Sequence, residues 1–259
     1  ALGACDELKS TRCFTGKPLS MGGTDYDREG IAGLGVAIAG KTALECRGKD
    51  PASASYAIQG LGAMGAAVLR YFSETGAQLS AFSDPRYGGT WMFDAPLSPE
   101  LMEALITQKS QALDMIEKEG RKLSDSAEDV LYVAADVLFP CAVQNVITEA
   151  NASRVKAYYV VEGANGPVTE GARTALHGAG VTVVPDFIAN PGGIIAAFVE
   201  LTSSAANKAE EAKALTRAKI AANVRDMMAM AAEYGVEPPQ AGLFMALQRI
   251  FKADQGPKA

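Results

Sequence analysis

The stretch that most limits how this chain folds runs from residue 55 to 84, SYAIQGLGAMGAAVLRYFSETGAQLSAFSD. A short apolar run, SYAIQ, ends on glycine, as a buried parallel strand does. The pattern G-x-G-x-x-G follows at 60–65, and behind it Met64, Val68 and Phe72 recur at helical spacing before Gly76 stops the run. A second apolar run, AQLSAFSD (77–84), closes on an acid, about 20 residues past the last glycine of the loop, where a ribose-binding carboxylate is expected. Strand, glycine turn, helix, strand and acid in that order make one βαβ unit, which demands a parallel sheet covered by helices.

Each glycine of the loop has its own task. Gly60 permits the tight turn off the strand, Gly62 lets the backbone approach a pyrophosphate, and Gly65 lets helix and strand pack closely. Leu61, Ala63 and Met64 fill the positions between, and the helix N-terminus offers unpaired N–H groups and a positive dipole end to phosphates. Asp84 is placed to accept hydrogen bonds from both ribose hydroxyls, which favours NAD. Just past Pro85, Arg86 supplies a guanidinium able to pair a 2′-phosphate, so NADP remains open.

A second glycine pattern competes. Residues 35–42, GVAIAGKT, fit the phosphate-loop pattern G-x-x-x-x-G-K-[ST] letter for letter. The context is wrong for it. DREGIAGLG upstream is no strand, and Val36 and Ile38 are too bulky for a tight anion-cradling turn. Ile31, Leu34 and Ile38 fall at helical spacing, so a helix with Lys41 on its exposed face is expected. A nucleotide triphosphatase using Lys41 and Thr42 is the remote alternative.

The remaining pattern keeps alternating. SPELMEALITQKSQALDMIEKEG (98–120) reads as a helix started by Ser98 and stopped by Gly120. AADVLFP (134–140), AYYVVEG (157–163) and VTVVPD (181–186) read as strands, and TEGARTALHGAG and 192–235 as helical, the latter with Ile220, Val224, Met227 and Ala231 as a buried stripe. The predicted fold is α/β: a Rossmann-type, doubly wound, mostly parallel sheet with helices on both faces and a long C-terminal helical segment. Residues 1–50 form a lead-in, 51–200 the dinucleotide-binding core, and 201–259 a helical segment packing on the same domain.

Composition excludes several classes. A net charge of −6 opposes an electrostatic grip on nucleic acid or anionic lipid, and no apolar run approaches the ~18 residues needed to span a bilayer. The opening ALGACDELKS lacks a basic region followed by an apolar one, so a cytoplasmic location is expected. Cys5, Cys13, Cys46 and Cys141 show no C-x-x-C spacing, and with the single His177 they predict no metal site. The cysteines read as small buried hydrophobes and His177 as a cation at a helix end.

Six blocks carry a resemblance: FTGKPLSMGGTDYDREGIAGLGV, AIQGLGAMG, FSDPRYGG, PCAVQNVITEANA, VVEGANGPVTEGA and VPDFIANPGG. In this order, over about residues 14–200, they resemble the cofactor domain of the glutamate/leucine/phenylalanine/valine dehydrogenases, with TGKPL, EGANGP and PD-x-x-AN nearest to its glutamate-specific members. The resemblance implies reversible oxidative deamination of an amino acid to a 2-oxo acid, with hydride passing to a nicotinamide dinucleotide. It also implies a small amino-acid substrate and a homo-oligomer for the full-length enzyme. It places Cys141 and Ala142, at the PCA turn, along the ribose and adenine side of the cofactor, and Asn165 and Asn190 at the nicotinamide half. Both asparagines follow apolar strands, at the carboxyl edge where such sheets bind ligands, and Asn-Gly and Asn-Pro are equally turn dipeptides.

Departures accompany the match. The family's glycine-rich stretch with its substrate lysine, second active-site lysine and catalytic aspartate has no counterpart, so no catalytic residue is assigned here. Lys17 of TGKPL matches a linker instead. Ala32 stands where many relatives have threonine, Pro191 where alanine is usual, and Ala197 where glutamate-specific members place a serine. Ala197 thus predicts an apolar substrate wall, suited to a branched or aromatic side chain. A non-catalytic module of the same fold that senses nicotinamide redox state is the main alternative.

Overall fold

The computed structural model describes residues 15–107 and 112–254. Seven strands build one sheet: β1 (Ser55–Gln59), β2 (Gln78–Asp84), β3 (Gly89–Met92), β4 (Arg121–Ser124), β5 (Val137–Pro140), β6 (Tyr159–Val161) and β7 (Thr182–Val184). Their order is β4-β3-β2-β1-β5-β6-β7, with β2, β1, β5, β6 and β7 parallel and β3 and β4 added antiparallel beyond β2. The strand order reverses between β1 and β5, which is where a doubly wound sheet opens a crevice at its carboxyl edge.

The helices among the described residues are α1 (Ile31–Cys46), α2 (Ala63–Ser73), α3 (Pro99–Ile106), α4 (Ala112–Glu119), α5 (Glu170–Gly178), α6 (Asp186–Ala189), α7 (Gly192–Thr202), α8 (Lys208–Tyr234) and α9 (Pro238–Asp254). Period-two alternation feeds two cores. Tyr56 and Ile58 of β1 point into one with Phe82, Phe139 and the apolar faces of α1, α2 and α8, while Ala57 points into the other with Leu138, Val160, Leu131 and Leu176. Tyr56, Phe72 and Phe139 meet edge to face, with centroids of Phe72 4.9 Å from each of the other two rings. Ile220, Val224, Met227 and Ala231 are buried along α8. No helix of the described residues is long and apolar enough to cross a membrane.

The pattern at 35–42 lies inside α1. Its N–H groups are committed to helical bonds, Lys41 pairs with Glu45 one turn on at the surface (3.5 Å), and the glycines serve packing. A Cβ on Gly40 would stand 2.8 Å from the Phe139 ring, and one on Gly33 2.4 Å from the Ala67 methyl of α2. The phosphate-loop alternative therefore falls.

Three expectations need correction. The single helix over 98–120 is two, α3 and α4, although Ser98 does cap the first, accepting from Leu101 N–H at 3.1 Å. Strands β3 and β4 were not foreseen: each has four residues, and β4 is the solvent-facing edge strand RKLS, whose first three residues are exposed. Cys46 is exposed, not a buried hydrophobe, whereas Cys141 is buried. Cys5 and Cys13 lie outside the described residues.

Candidate functional site

The glycine loop joins β1 to α2 at the sheet's carboxyl edge, and its three glycines answer to different constraints. Gly60 has φ +83°, and a Cβ there would press within 2.8 Å of the Ala142 methyl. Gly65 lies so close under the loop that a Cβ would fall 1.8 Å from the Gly60 carbonyl oxygen. Gly62 differs from both. It is the N-cap of α2, with φ −63°, a value any residue adopts, and no atom lies within 4 Å of where its Cβ would be. Neither backbone nor packing asks for glycine at 62. What its missing side chain leaves is clear space before the first turn of α2, whose N–H groups have no carbonyl within the helix and no side-chain cap.

At the end of β2 the carboxylate of Asp84 turns inward. Its Oδ2 accepts from Leu61 N–H (2.8 Å) and Arg86 Nη2 (3.1 Å), and its Oδ1 from Arg86 N–H (2.9 Å) and Nε (2.8 Å). Burial opposes its ionisation, but Arg86 and the two backbone donors outweigh burial and hold the carboxyl below its ordinary range. Four bonds occupy its acceptor sites, so no free lone pair is left for ribose hydroxyls. Pro85 and Arg86 form the short turn after the strand, and Arg86 also donates to the Leu61 carbonyl at 2.6 Å. Leu61 is fully buried, so its side chain anchors the loop.

Across the switch point, Met64, Cys141, Ala142, Asn165, Asn190 and Ala197 line one open cleft of about 790 Å³. Cys141 follows β5 and is packed against Gly163, where a Cβ would meet its Sγ at 2.5 Å; burial pushes its thiol well above the ordinary range. Asn190 donates through Nδ2 to the Gly163 carbonyl (3.1 Å) and to Asn165 Oδ1 (3.0 Å), so the two asparagines face the cleft as a bonded pair. Ala197 stands on α7, and Pro191 caps that helix. Ala32 packs against Gly192, whose own Cβ would strike the Ile31 carbonyl at 2.3 Å.

Lys17 is elsewhere: it is buried and paired with Glu200 of α7 at 2.5 Å, with no access to the cleft. Among the described residues no cluster of three or more His, Cys, Asp or Glu side chains could hold a metal. Two acids of the EGANGP and PD-x-x-AN blocks, given no role in the sequence, stand directly behind the asparagines. Glu162, fully buried just past β6, accepts from Nε and Nη2 of Arg173 and from the Asp186 N–H, and Asp186 accepts from Gly166 N–H at 2.8 Å. The available signal was a charged residue placed directly after the apolar run YYVV, where an exposed strand end is the ordinary reading.

A family model described as Glutamate/Leucine/Phenylalanine/Valine dehydrogenase matches residues 22–256. The chain is 33% identical over 248 residues to a glutamate dehydrogenase of Aeropyrum pernix, covering 92% of this chain and 57% of that protein. It is 36% identical over 189 residues to an NADP(+)-dependent glutamate dehydrogenase of Pyrobaculum calidifontis, covering 72% of this chain and 44% of the relative. Among solved structures, the hetero-hexameric glutamate dehydrogenase of Thermus thermophilus in a leucine-bound form superposes with a TM-score of 0.76 at 26% identity, over 95% of this chain and 57% of that one. The chain thus spans roughly half the length of the relatives it matches.

Proposed function

Because the chain belongs to the glutamate/leucine/phenylalanine/valine dehydrogenase family, we propose that it is the dinucleotide-holding part of an NAD(P)-dependent amino-acid dehydrogenase, which oxidises a CH–NH₂ donor to a 2-oxo acid. The observation that carries this reading is Gly62: a glycine demanded by neither its φ nor its protein neighbours, opening clear space before a helix N-terminus.

The residues present fit the group. The first-turn N–H groups of α2, from Ala63, Met64 and Gly65, would meet the pyrophosphate, with Gly60 setting the turn. Cys141 and Ala142 would line the middle of the cofactor, and the Asn165–Asn190 pair would offer donor and acceptor to a carboxamide. When bound, the nicotinamide supplies a hydride acceptor. At the other end, the filled acceptor sites of Asp84 and the cation of Arg86 favour a ribose carrying a 2′-phosphate, hence NADP over NAD. Relatives of both kinds are similar to this chain, an NADP(+)-dependent glutamate dehydrogenase of Pyrobaculum calidifontis and an NAD-specific one of Bacillus subtilis, so the preference rests on Asp84 and Arg86 alone.

The substrate is an L-amino acid. The relatives' names point to glutamate, while the methyl of Ala197 on the cleft wall suits an apolar side chain. No catalytic residue is assigned among the described residues, and the hexameric neighbour supports assembly into an oligomer. The chain alone should bind dinucleotide without turning over amino acid. Titration with NADH and NADPH, read by energy transfer from the single tryptophan, Trp91, tests this. Trp91 is buried in β3, beside the Asp84 end of the sheet. Saturable transfer lost in Gly62→Val supports the reading; no transfer with either cofactor from a folded sample overturns it.

A further inference from the structure

Glu162 has no side-chain surface on the cleft, yet hydrogen bonds connect it through Asp186 to the Asn165–Asn190 pair that lines it. Its Oε1 accepts from Arg173 Nε (3.0 Å) and Nη2 (2.9 Å), and its Oε2 from Arg173 Nη2 (2.8 Å) and the Asp186 N–H (2.9 Å). Asp186 begins α6. Its Oδ2 takes the Gly166 N–H, in the turn just past Asn165, and its carbonyl takes the Asn190 N–H at 2.7 Å. Asn190 then reaches back to the Gly163 carbonyl and to Asn165 Oδ1. The bonds form a closed ring, Asp186 to the 163–166 turn to Asn190 and back to Asp186, and Glu162 holds that ring from behind through the Asp186 N–H. The loops after β6 and β7 are thereby held as one piece.

A carboxylate is the group this ring needs. An amide at 162 would offer a single acceptor oxygen and turn an NH₂ toward the Arg173 fork, so at least one of the four bonds would be lost and two donors would face each other. The charge also sits where it is costly, buried with only one cation to offset it, an expense that packing alone does not explain.

We propose that Glu162 is a positioning residue for the cofactor cleft: its ionised carboxylate, clamped between Arg173 and the start of α6, sets the Asn165–Asn190 pair in the orientation that meets the nicotinamide carboxamide. This rests on the dinucleotide reading above. Burial, opposed by Arg173 and the Asp186 N–H, pushes the Glu162 carboxyl up to about 7. The charged groups acting on it are Arg173 of α5 and Asp186 of α6. The flanking strands β5 and β7 bring no titratable side chain, the other titratable groups of α5, Glu170 and His177, are exposed, and α1, which packs on β6, keeps Lys41 paired with Glu45 at the surface. Protonation converts one acceptor oxygen into a donor, so a bond to Arg173 or to the Asp186 N–H is lost and the ring loses its anchor as pH falls through that range.

The test has two independent readings on the described chain. In the first, without cofactor, the Gly166 amide and the Asn165 and Asn190 side-chain amides are followed by ¹⁵N NMR from pH 5.5 to 8.5. They should move together with one midpoint near 7, and in Glu162→Gln they should lose that midpoint and stay in the low-pH position. In the second, NADH, whose ribose carries no phosphate to titrate, should bind the wild type about tenfold more weakly at pH 6 than at pH 8, the loss of one charge-assisted hydrogen bond, while Glu162→Gln binds it weakly and without pH dependence. Should Glu162→Gln fail to fold, Asp186→Asn keeps the Glu162–Arg173 pair and should shift Gly166 and Asn190 while leaving Arg173 undisturbed. Amides that ignore pH, or that keep their midpoint in a folded Glu162→Gln, overturn the clamp. Gly62→Val separates the two readings: it should abolish dinucleotide binding and leave the amide titration intact. A wild type that binds no dinucleotide but shows the titration would retain the clamp and overturn its tie to a cofactor.

Discussion

Arg86 grips both oxygens of Asp84, through Nε at 2.8 Å and Nη2 at 3.1 Å, and the same Nη2 holds the Leu61 carbonyl at 2.6 Å. The acid at the end of β2 and the glycine loop are therefore joined through one guanidinium. An acid in this position with free lone pairs selects a diol; an acid with its lone pairs filled presents its partner's charge instead.

Arg86→Gln should for that reason change the ratio of two affinities more than either alone. NADPH affinity should drop about tenfold further than NADH affinity, since only the former loses a charge-assisted contact to phosphate. Paired titrations of wild type and variant measure this. Equal losses for the two cofactors would mean that Arg86 only braces the loop.

Gly62 and Gly65 should separate binding from folding. Valine at 62 projects into open space at an ordinary φ, so stability should stay within about 0.5 kcal/mol of wild type while dinucleotide binding disappears. Alanine at 65 puts a methyl 1.8 Å from the Gly60 carbonyl oxygen, and overpacking of that kind costs about 1–3 kcal/mol or more. Thermal melts and cofactor titration of the two variants should give opposite patterns. A Gly62→Val protein that binds normally would remove the loop from the site.

How far the sequence carried these assignments depends on the range of each signal. The βαβ unit was readable because the alternation of Tyr56, Ala57 and Ile58, the α2 stripe and the glycines are all local. Strand β4 was not, since RKLS has the composition of a loop and is a strand only because it pairs with β3. GVAIAGKT misled as a pattern and was recovered by context: Val36 and Ile38 belong to a helix. Asp84 was legible in place but not in orientation, because its use by Leu61 and Arg86 is a matter of side-chain rotamers. The network around Glu162 was invisible for a related reason, as Glu162, Arg173 of α5 and the Asp186–Asn190 turn of α6 come from three separate segments.

Acid should weaken the fold through Asp136. Burial by itself would raise this carboxyl, but the Lys49 ammonium and the Ser55 N–H and hydroxyl overcome it and hold it below the ordinary value. A carboxyl depressed in the folded state stabilises the protein above its unfolded pKa of about 3.9, and that contribution is lost as pH falls through the folded value. Asp136→Asn should lower the melting temperature at pH 7 by roughly 4–8 °C, taking about 2 kcal/mol for hydrogen bonds to a charged group. The gap from wild type should close toward pH 3. A gap independent of pH would show that the side chain acts through shape, not charge.

The pair Lys17–Glu200 offers the sharpest contrast between a buried charge and its partner. Glu200 is fully buried on α7, within one turn of Ala197 on the cleft wall, and accepts from the Lys17 ammonium (2.5 Å) and from the N–H (3.1 Å) and hydroxyl (3.2 Å) of Thr24. It ties the segment entering the domain to the helix that carries Ala197. Lys17→Met leaves the acid buried without its cation and should cost about 3–5 kcal/mol at pH 7. The loss should shrink as pH falls, because an unpaired buried carboxyl takes up a proton readily. Adding Glu200→Leu removes the stranded charge and should recover most of the stability, short of about 1–3 kcal/mol for the Thr24 donors left without an acceptor. Denaturant melts of both single variants and the double variant at pH 5 and 7 complete the cycle. Losses that simply add would mean that the two side chains act apart, and that the pairing at 2.5 Å contributes nothing to holding the entering segment on α7.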